Sequence, residues 1–120
     1  MSEIRDLLDE NTPHAIGDQL RLLQPRLTIQ KVGDELSPPL GTPDPELLLW
    51  LEREGYCLIT RNRRSMPEHL SQHLADGRHV PGIFLLRPGA RLGSSIDDLL
   101  LIHSAAQAED YRDMITHVPL

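Results

Sequence analysis

The sequence predicts a single α/β domain over residues 1–120, built on a mostly parallel sheet of four or five strands with helices on both faces. Three observations carry that prediction. Short apolar runs alternate with amphipathic stretches, the pattern of strands joined by crossover helices. The run Ile83-Phe84-Leu85-Leu86 has no polar interruption, which suits a strand buried on both faces of a parallel sheet. A chain of 120 residues is the length of one domain and can bury about two-thirds of its unfolded surface.

The elements follow in order. Ile4 to Leu8 reads as a first strand ending in Asp9-Glu10-Asn11. Thr12 and Pro13 are placed to be the N-cap and first residue of a helix whose apolar stripe is Ala15, Ile16, Leu20, Leu22 and Leu23, stopped by Pro25. Leu27 to Val32 fits a half-buried or edge strand, and the proline- and glycine-containing segment Gly33 to Thr42 is a loop. Asp44 is expected to cap the next helix, with Pro45 at its first position and Gly55 at its end. Tyr56 to Thr60 is the next strand. Ser65-Met66-Pro67-Glu68 matches a capping box, opening a helix that runs through Leu70 and Leu74 to Gly77. After the strand at Ile83–Leu86, Pro88-Gly89 turns, and Ser94 or Ser95 caps a helix carrying Ile96, Leu99, Leu100 and Ile102. Tyr111 to Leu120 fits a short helix, an edge strand or both.

Composition narrows the function. Hydrophobic residues make up 39% of the chain, leucine foremost, and Phe and Trp occur once each, so aromatic platforms for stacking bases are nearly absent. That argues against readers of single strands of the RRM or OB type. The formal net charge of −6 excludes nucleic-acid binding by bulk charge, so any such contact must be local or aided by a metal. Cys57 is the only cysteine, so no intrachain disulfide forms, and its apolar setting reads as a buried small hydrophobe. Met1-Ser2-Glu3 leads into mixed charge with no signal-peptide pattern, and no run is long enough to span a membrane, so a cytoplasmic setting is expected.

Ligands of open parallel sheets bind beyond the carboxyl ends of the strands. Asp9 and Glu10 follow the first strand, Asp44 and Glu46 open a helix beside the sheet, and Asn62 follows the third strand. These sequence-distant groups are expected to converge on one rim, where carboxylates could hold a magnesium ion. For Asp44 capping is a sufficient structural reason, and Glu46 complements a helix dipole. Asp9 has no comparable structural reason. Arg61, Arg63 and Arg64 form the only dense basic cluster, suited either to RNA phosphates or to pairing with the nearby acids. His69 and His73, four apart on a helix, read as a solvated face; His14, His103 and His117 show no partner spacing; Asp97-Asp98 read as dipole-complementing residues at a helix start.

Leu7-Leu8-Asp9-Glu10-Asn11-Thr12-Pro13, Gly41-Thr42-Pro43-Asp44-Pro45-Glu46-Leu47-Leu48 and Tyr56-Cys57-Leu58-Ile59-Thr60-Arg61-Asn62 together resemble, in order and spacing, the three blocks of a PIN-like domain family of short bacterial proteins. The resemblance covers most of the chain. It implies a three-layer sandwich and a magnesium- or manganese-dependent ribonuclease, a hydrolase of the toxin–antitoxin type. Carried over, it makes Asp9, Asp44 and Asn62 catalytic, gives the metal to Asp9 and Asp44 with Glu46 as substitute, and gives RNA to Arg61, Arg63 and Arg64. The chain departs from the pattern twice: Asn62 stands where a third Asp is usual, and Arg64 where a further acid often follows. A neutral amide and a cation in those places imply weak Mg2+ or Mn2+ binding, or none. The implied partners are an RNA substrate, an antitoxin protein and a second copy in a homodimer. The alternative is a non-catalytic binding or regulatory protein that kept the fold and lost the metal.

Overall fold

The computed structural model describes residues 3–120; Met1 and Ser2, read above as part of a start without a signal peptide, lie outside the described residues. The elements are β1 (Asp6–Leu8), α1 (His14–Leu23), β2 (Ile29–Lys31), α2 (Asp44–Glu54), β3 (Cys57–Thr60), α3 (Met66–Ala75), β4 (Ile83–Leu86), α4 (Leu92–Ala105), a short 3-10 helix (Ala108–Tyr111) and β5 (Ile115–Val118). Of the expected tail, Tyr111 to Leu120, the edge-strand alternative is the one found, as β5; the short helix lies ahead of it and shares only Tyr111. All five strands are parallel, in the order β2-β1-β3-β4-β5.

The pleat sends alternate residues to opposite faces, which is why the central strands need apolar residues at every position. Leu8, Cys57, Ile59, Phe84 and Leu86 face α1 and α4, packing on Ile16, Leu20, Leu99 and Ile102. Leu7, Leu58 and Ile83 face α2 and α3, packing on Leu47, Leu51, Met66 and Leu70. The result is the three-layer α/β sandwich expected from the sequence. Among the described residues no helix is long and apolar enough to cross a membrane.

The order places a topological switch at β1. From β1 the chain goes outward to β2, then crosses back through α2 to enter β3 on the other side of β1. Crossovers on either side of β1 diverge, so a crevice opens beyond the carboxyl ends of β1 and β3. Asp9 and Asn62 follow those two strands, and Asp44 begins the crossover helix between them.

Several local expectations need correction. Thr12, Asp44 and Ser65 do not cap their helices, and the N-cap positions of α1, α2 and α3 carry no side-chain cap bond. Two of the side chains have tertiary partners instead, Thr12 Oγ1 donating to the Ile59 carbonyl oxygen at 3.3 Å and Asp44 accepting from Asn62, while Ser65 Oγ accepts from Asn62 three residues before it. α4 begins at Leu92, so Ser94 and Ser95 are helical rather than capping, and Asp97-Asp98 sit beyond the first turn. His73 is not on a solvated face: it is buried, with Nε2 3.0 Å from the His79 carbonyl oxygen and 3.2 Å from Glu52. Gly55 does end α2 as expected, in the left-handed region at φ 76°, where an L side chain is strained.

The largest departure lies in β1. Asp6 is fully buried, beside Cys57 in register and facing α4, where His103 Nε2 reaches its Oδ2 at 2.5 Å. A carboxylate oxygen only accepts, so His103 donates from Nε2. Among the described residues Asp6 Oδ1 has no hydrogen-bond partner. Neither residue drew attention in the sequence, and His103 there showed no partner. Burial raises the Cys57 thiol pKa far above its ordinary value, and the Asp6 charge adds to this, so Cys57 behaves as the inert core residue its setting suggests.

Candidate functional site at the strand ends

Asp9, Glu10, Asn11, Thr42, Asp44, Thr60, Arg61 and Asn62 line one cleft of about 460 Å3 at the switch point. The convergence expected for Asp9, Asp44 and Asn62 is therefore present. Hydrogen bonds fix it. Asp9 Oδ2 accepts from Thr60 Oγ1 at 2.8 Å, and Asp9 Oδ1 accepts from the Glu10 backbone N–H at 2.8 Å. Thr60 Oγ1 in turn accepts from the Asn62 backbone N–H at 3.1 Å. Asn62 Nδ2 donates to Asp44 Oδ2 and to Ser65 Oγ, both at 2.8 Å, and its Oδ1 accepts from the Ser65 N–H at 3.2 Å. One network thus joins the ends of β1 and β3 to the starts of α2 and α3.

Asn62 turns its donor, not its oxygen, toward Asp44. A carboxylate in that place would repel Asp44; the amide holds it without a cation. Thr60 is the site residue the sequence reading passed over. Its signal was a hydroxyl closing an otherwise apolar strand, one residue before the loop. Glu10 closes the wall of the cleft by accepting from the Gly41 N–H at 2.9 Å. Glu46 is exposed and does not line the cleft, and Arg64 is also exposed and outside it. Arg61 lines the cleft but donates to the Asn11 carbonyl oxygen at 2.6 Å, and among the described residues it pairs with neither Asp9 nor Asp44. His69 Nε2 lies 3.7 Å from Asp44 Oδ2, an ion pair when the imidazole is protonated.

Asp9 titrates above its ordinary range. Desolvation is the main cause, the hydrogen bonds from Thr60 and Glu10 oppose it, and the charges of Asp44 and Glu10 add to it. A carboxyl whose folded pKa is raised contributes stability that is complete below the unfolded value, about pH 4, and is lost as pH rises through the folded value. Asp9→Asn has no such loss. Thermal melts are expected to show the variant gaining on wild type from about pH 4 upward, with the gap levelling off once Asp9 is fully ionised. A gap independent of pH would mean that Asp9 ionises without strain.

Two carboxylates on one polar cleft, each with lone pairs left over, fit the demands of Mg2+ or Mn2+, which take one or two carboxylates and complete their shell with water and phosphate oxygens. Among the described residues no three His, Cys, Asp or Glu side chains form a metal-holding group, so the fit is to such an open site and not to a closed cage. No protein-family model, curated protein or solved structure matches the chain.

Proposed function

We propose that the chain is a metal-dependent ribonuclease of toxin type, acting in the cytoplasm, with an antitoxin protein as its partner. The observation that carries this reading is that Asp9 and Asp44, from segments far apart in sequence, face one cleft at the topological switch point with the Arg61 guanidinium beside them and paired to neither. The resemblance of the three sequence blocks to PIN-like proteins supports the RNA substrate and the toxin role.

On this reading Asp9 and Asp44 hold the ion. When bound, Mg2+ or Mn2+ supplies Lewis-acid stabilisation of the phosphodiester and an activated water. Thr60 and the Glu10 N–H orient the Asp9 carboxylate so that each oxygen keeps a free lone pair. Asn62 orients Asp44 in the same way. Arg61 supplies positive charge for the phosphate, held in place by the Asn11 carbonyl so that little reorganisation is needed when charge develops. The raised proton affinity of Asp9 disfavours the anionic site in the absence of a cation, and a divalent ion relieves the repulsion between Asp9 and Asp44.

A second reading has its own observation. The Asn62–Asp44 hydrogen bond gives the rim a completed network without any ion, as a binding protein that had lost its metal would need. One experiment separates the two. Incubated with a mixed single-stranded RNA pool and Mn2+, the wild type is expected to cleave, and Asp9→Asn to lose at least about a hundredfold in rate, the size of effect seen when a group that stabilises transition-state charge is removed. No metal-dependent cleavage by wild type would reject the nuclease and leave the binding protein.

A further inference from the structure

A second cleft, of about 510 Å3, adjoins the first, and Arg61 lines both. Its other cations are Arg63 and Arg87, the latter directly after β4. Thr60 pairs with Leu85 in register, so Arg61 and Arg87 leave adjacent strands at the same rim. Arg87 is anchored: its Nε donates to the Pro119 carbonyl oxygen at 2.6 Å. A guanidinium has five N–H donors, so anchoring Arg87 and Arg61 through a carbonyl oxygen each leaves most of their donors free. Among the described residues none of the three arginines forms an ion pair with a carboxylate, although the chain as a whole carries a net charge of −6. The amino end of α4 opens on the same cleft through Leu92 and Ser95, adding its partial positive charge. Three like charges gathered with none of them in an ion pair among the described residues, in an otherwise acidic protein, are arranged for an anion with several acceptor oxygens, and a phosphate matches the arginine fork.

We propose that this cleft is a subsite for a backbone phosphate of a single-stranded RNA, neighbouring the phosphate held at Asp9 and Asp44, with Arg87 and Arg63 as its ligands. The inference rests on the nuclease reading for the identity of the strand. Arg61, shared between the clefts, bridges the two phosphates. Arg61 lining both clefts favours a polymer that sets a phosphate in each over a free anion.

The test is binding, kept apart from catalysis. A fluorescein-labelled 2′-O-methyl RNA tetranucleotide is titrated by anisotropy in EDTA at several salt concentrations, with wild type, Arg87→Gln and Arg63→Gln. Each variant is expected to bind about tenfold more weakly and to lower the slope of log K against log salt by about 0.7, the value for one phosphate contact on a single strand. Arg63 is exposed and makes no side-chain bond among the described residues, so its variant keeps the test valid if Arg87→Gln loosens the Pro119 contact. Unchanged affinity and slope in both variants would overturn the subsite. So would tight binding of inorganic phosphate that no tetranucleotide displaces, since the cleft would then serve a free anion. Cleavage of an unmodified tetranucleotide with Mn2+ is read separately. Arginine-dependent binding without cleavage keeps the subsite and rejects the nuclease; cleavage with arginine-independent binding does the reverse.

Discussion

Replacing His103 by leucine is expected to destabilise the protein by about 3–5 kcal/mol, the cost of breaking a buried pair by removing one partner. Asp6 and His103 have side chains 0% and 4% exposed, so neither can turn to water for a substitute. Asp6 Oδ1 already lacks a partner, and the substitution would leave both oxygens stranded against the apolar layer under α4. The measurement is urea unfolding, where the midpoint should fall with little change in slope. Against a whole stability of about 5–15 kcal/mol for a typical domain, a loss of this size removes from about a fifth to all of it. The double variant Asp6→Leu/His103→Leu removes the stranded charge along with its partner and should recover much of the loss, because an apolar pair can replace a buried ion pair at little or no cost. A double variant as unstable as His103→Leu would mean that the pair matters through packing shape and not through charge.

That pair also marks where sequence reading stops. β1 was legible because Leu7 and Leu8 continue into a charged strand end, but Asp6, next to Arg5, was absorbed into the strand read over Ile4 to Leu8. Its partner lies 97 residues away, and no local spacing connects an aspartate on a strand to a histidine in the last turn of a distant helix. The layered architecture was legible for the opposite reason: burial on both faces demands apolar residues at consecutive positions, and Ile83–Leu86 and Cys57–Ile59 display that demand locally. The rim was legible in part. Asp9 stood out because no helix start or ion pair in sequence explains a charge there.

The helix starts misled in a consistent way. Thr12, Asp44 and Ser65 have the residue types that cap helices, and local propensity assigns them that role. In the fold each lies at the carboxyl rim of the sheet, where another group competes for the same side chain, from a neighbouring strand end for Thr12 and Asp44 and from the preceding loop for Ser65. Ile59 takes Thr12, and Asn62 takes Asp44 and Ser65. The capping explanation for Asp44, sufficient on sequence grounds, thus gives way to a tertiary one, and Asp44 joins Asp9 as a carboxylate positioned by the cleft and not by its helix.

Asn62→Asp is expected to tighten Mn2+ and Mg2+ binding by at least about tenfold, at a cost to the metal-free protein. Asn62 now donates to Asp44 from Nδ2 at 2.8 Å. An aspartate has nothing to donate from that position and sets a second charge against Asp44, so without an ion one of the two carboxyls must take a proton or swing away. Losing the bond and leaving its partner unsatisfied should cost about 1–3 kcal/mol in EDTA. A divalent ion reverses the sign. Two unit charges 4 Å apart interact by about 4 kcal/mol at an effective dielectric of 20, and one decade of affinity needs only about 1.4 kcal/mol. Titration calorimetry gives the affinities. Thermal melts against metal concentration supply an independent reading, because an ion that binds only the folded state stabilises it by RT ln(1 + [metal]/Kd). The melting curves of the two proteins should therefore cross: the variant melts lower in EDTA and closes the gap as Mn2+ is added. If calorimetry gives both proteins the same affinity, position 62 does not face the ion, and its amide serves only to join Asp44 to the start of α3.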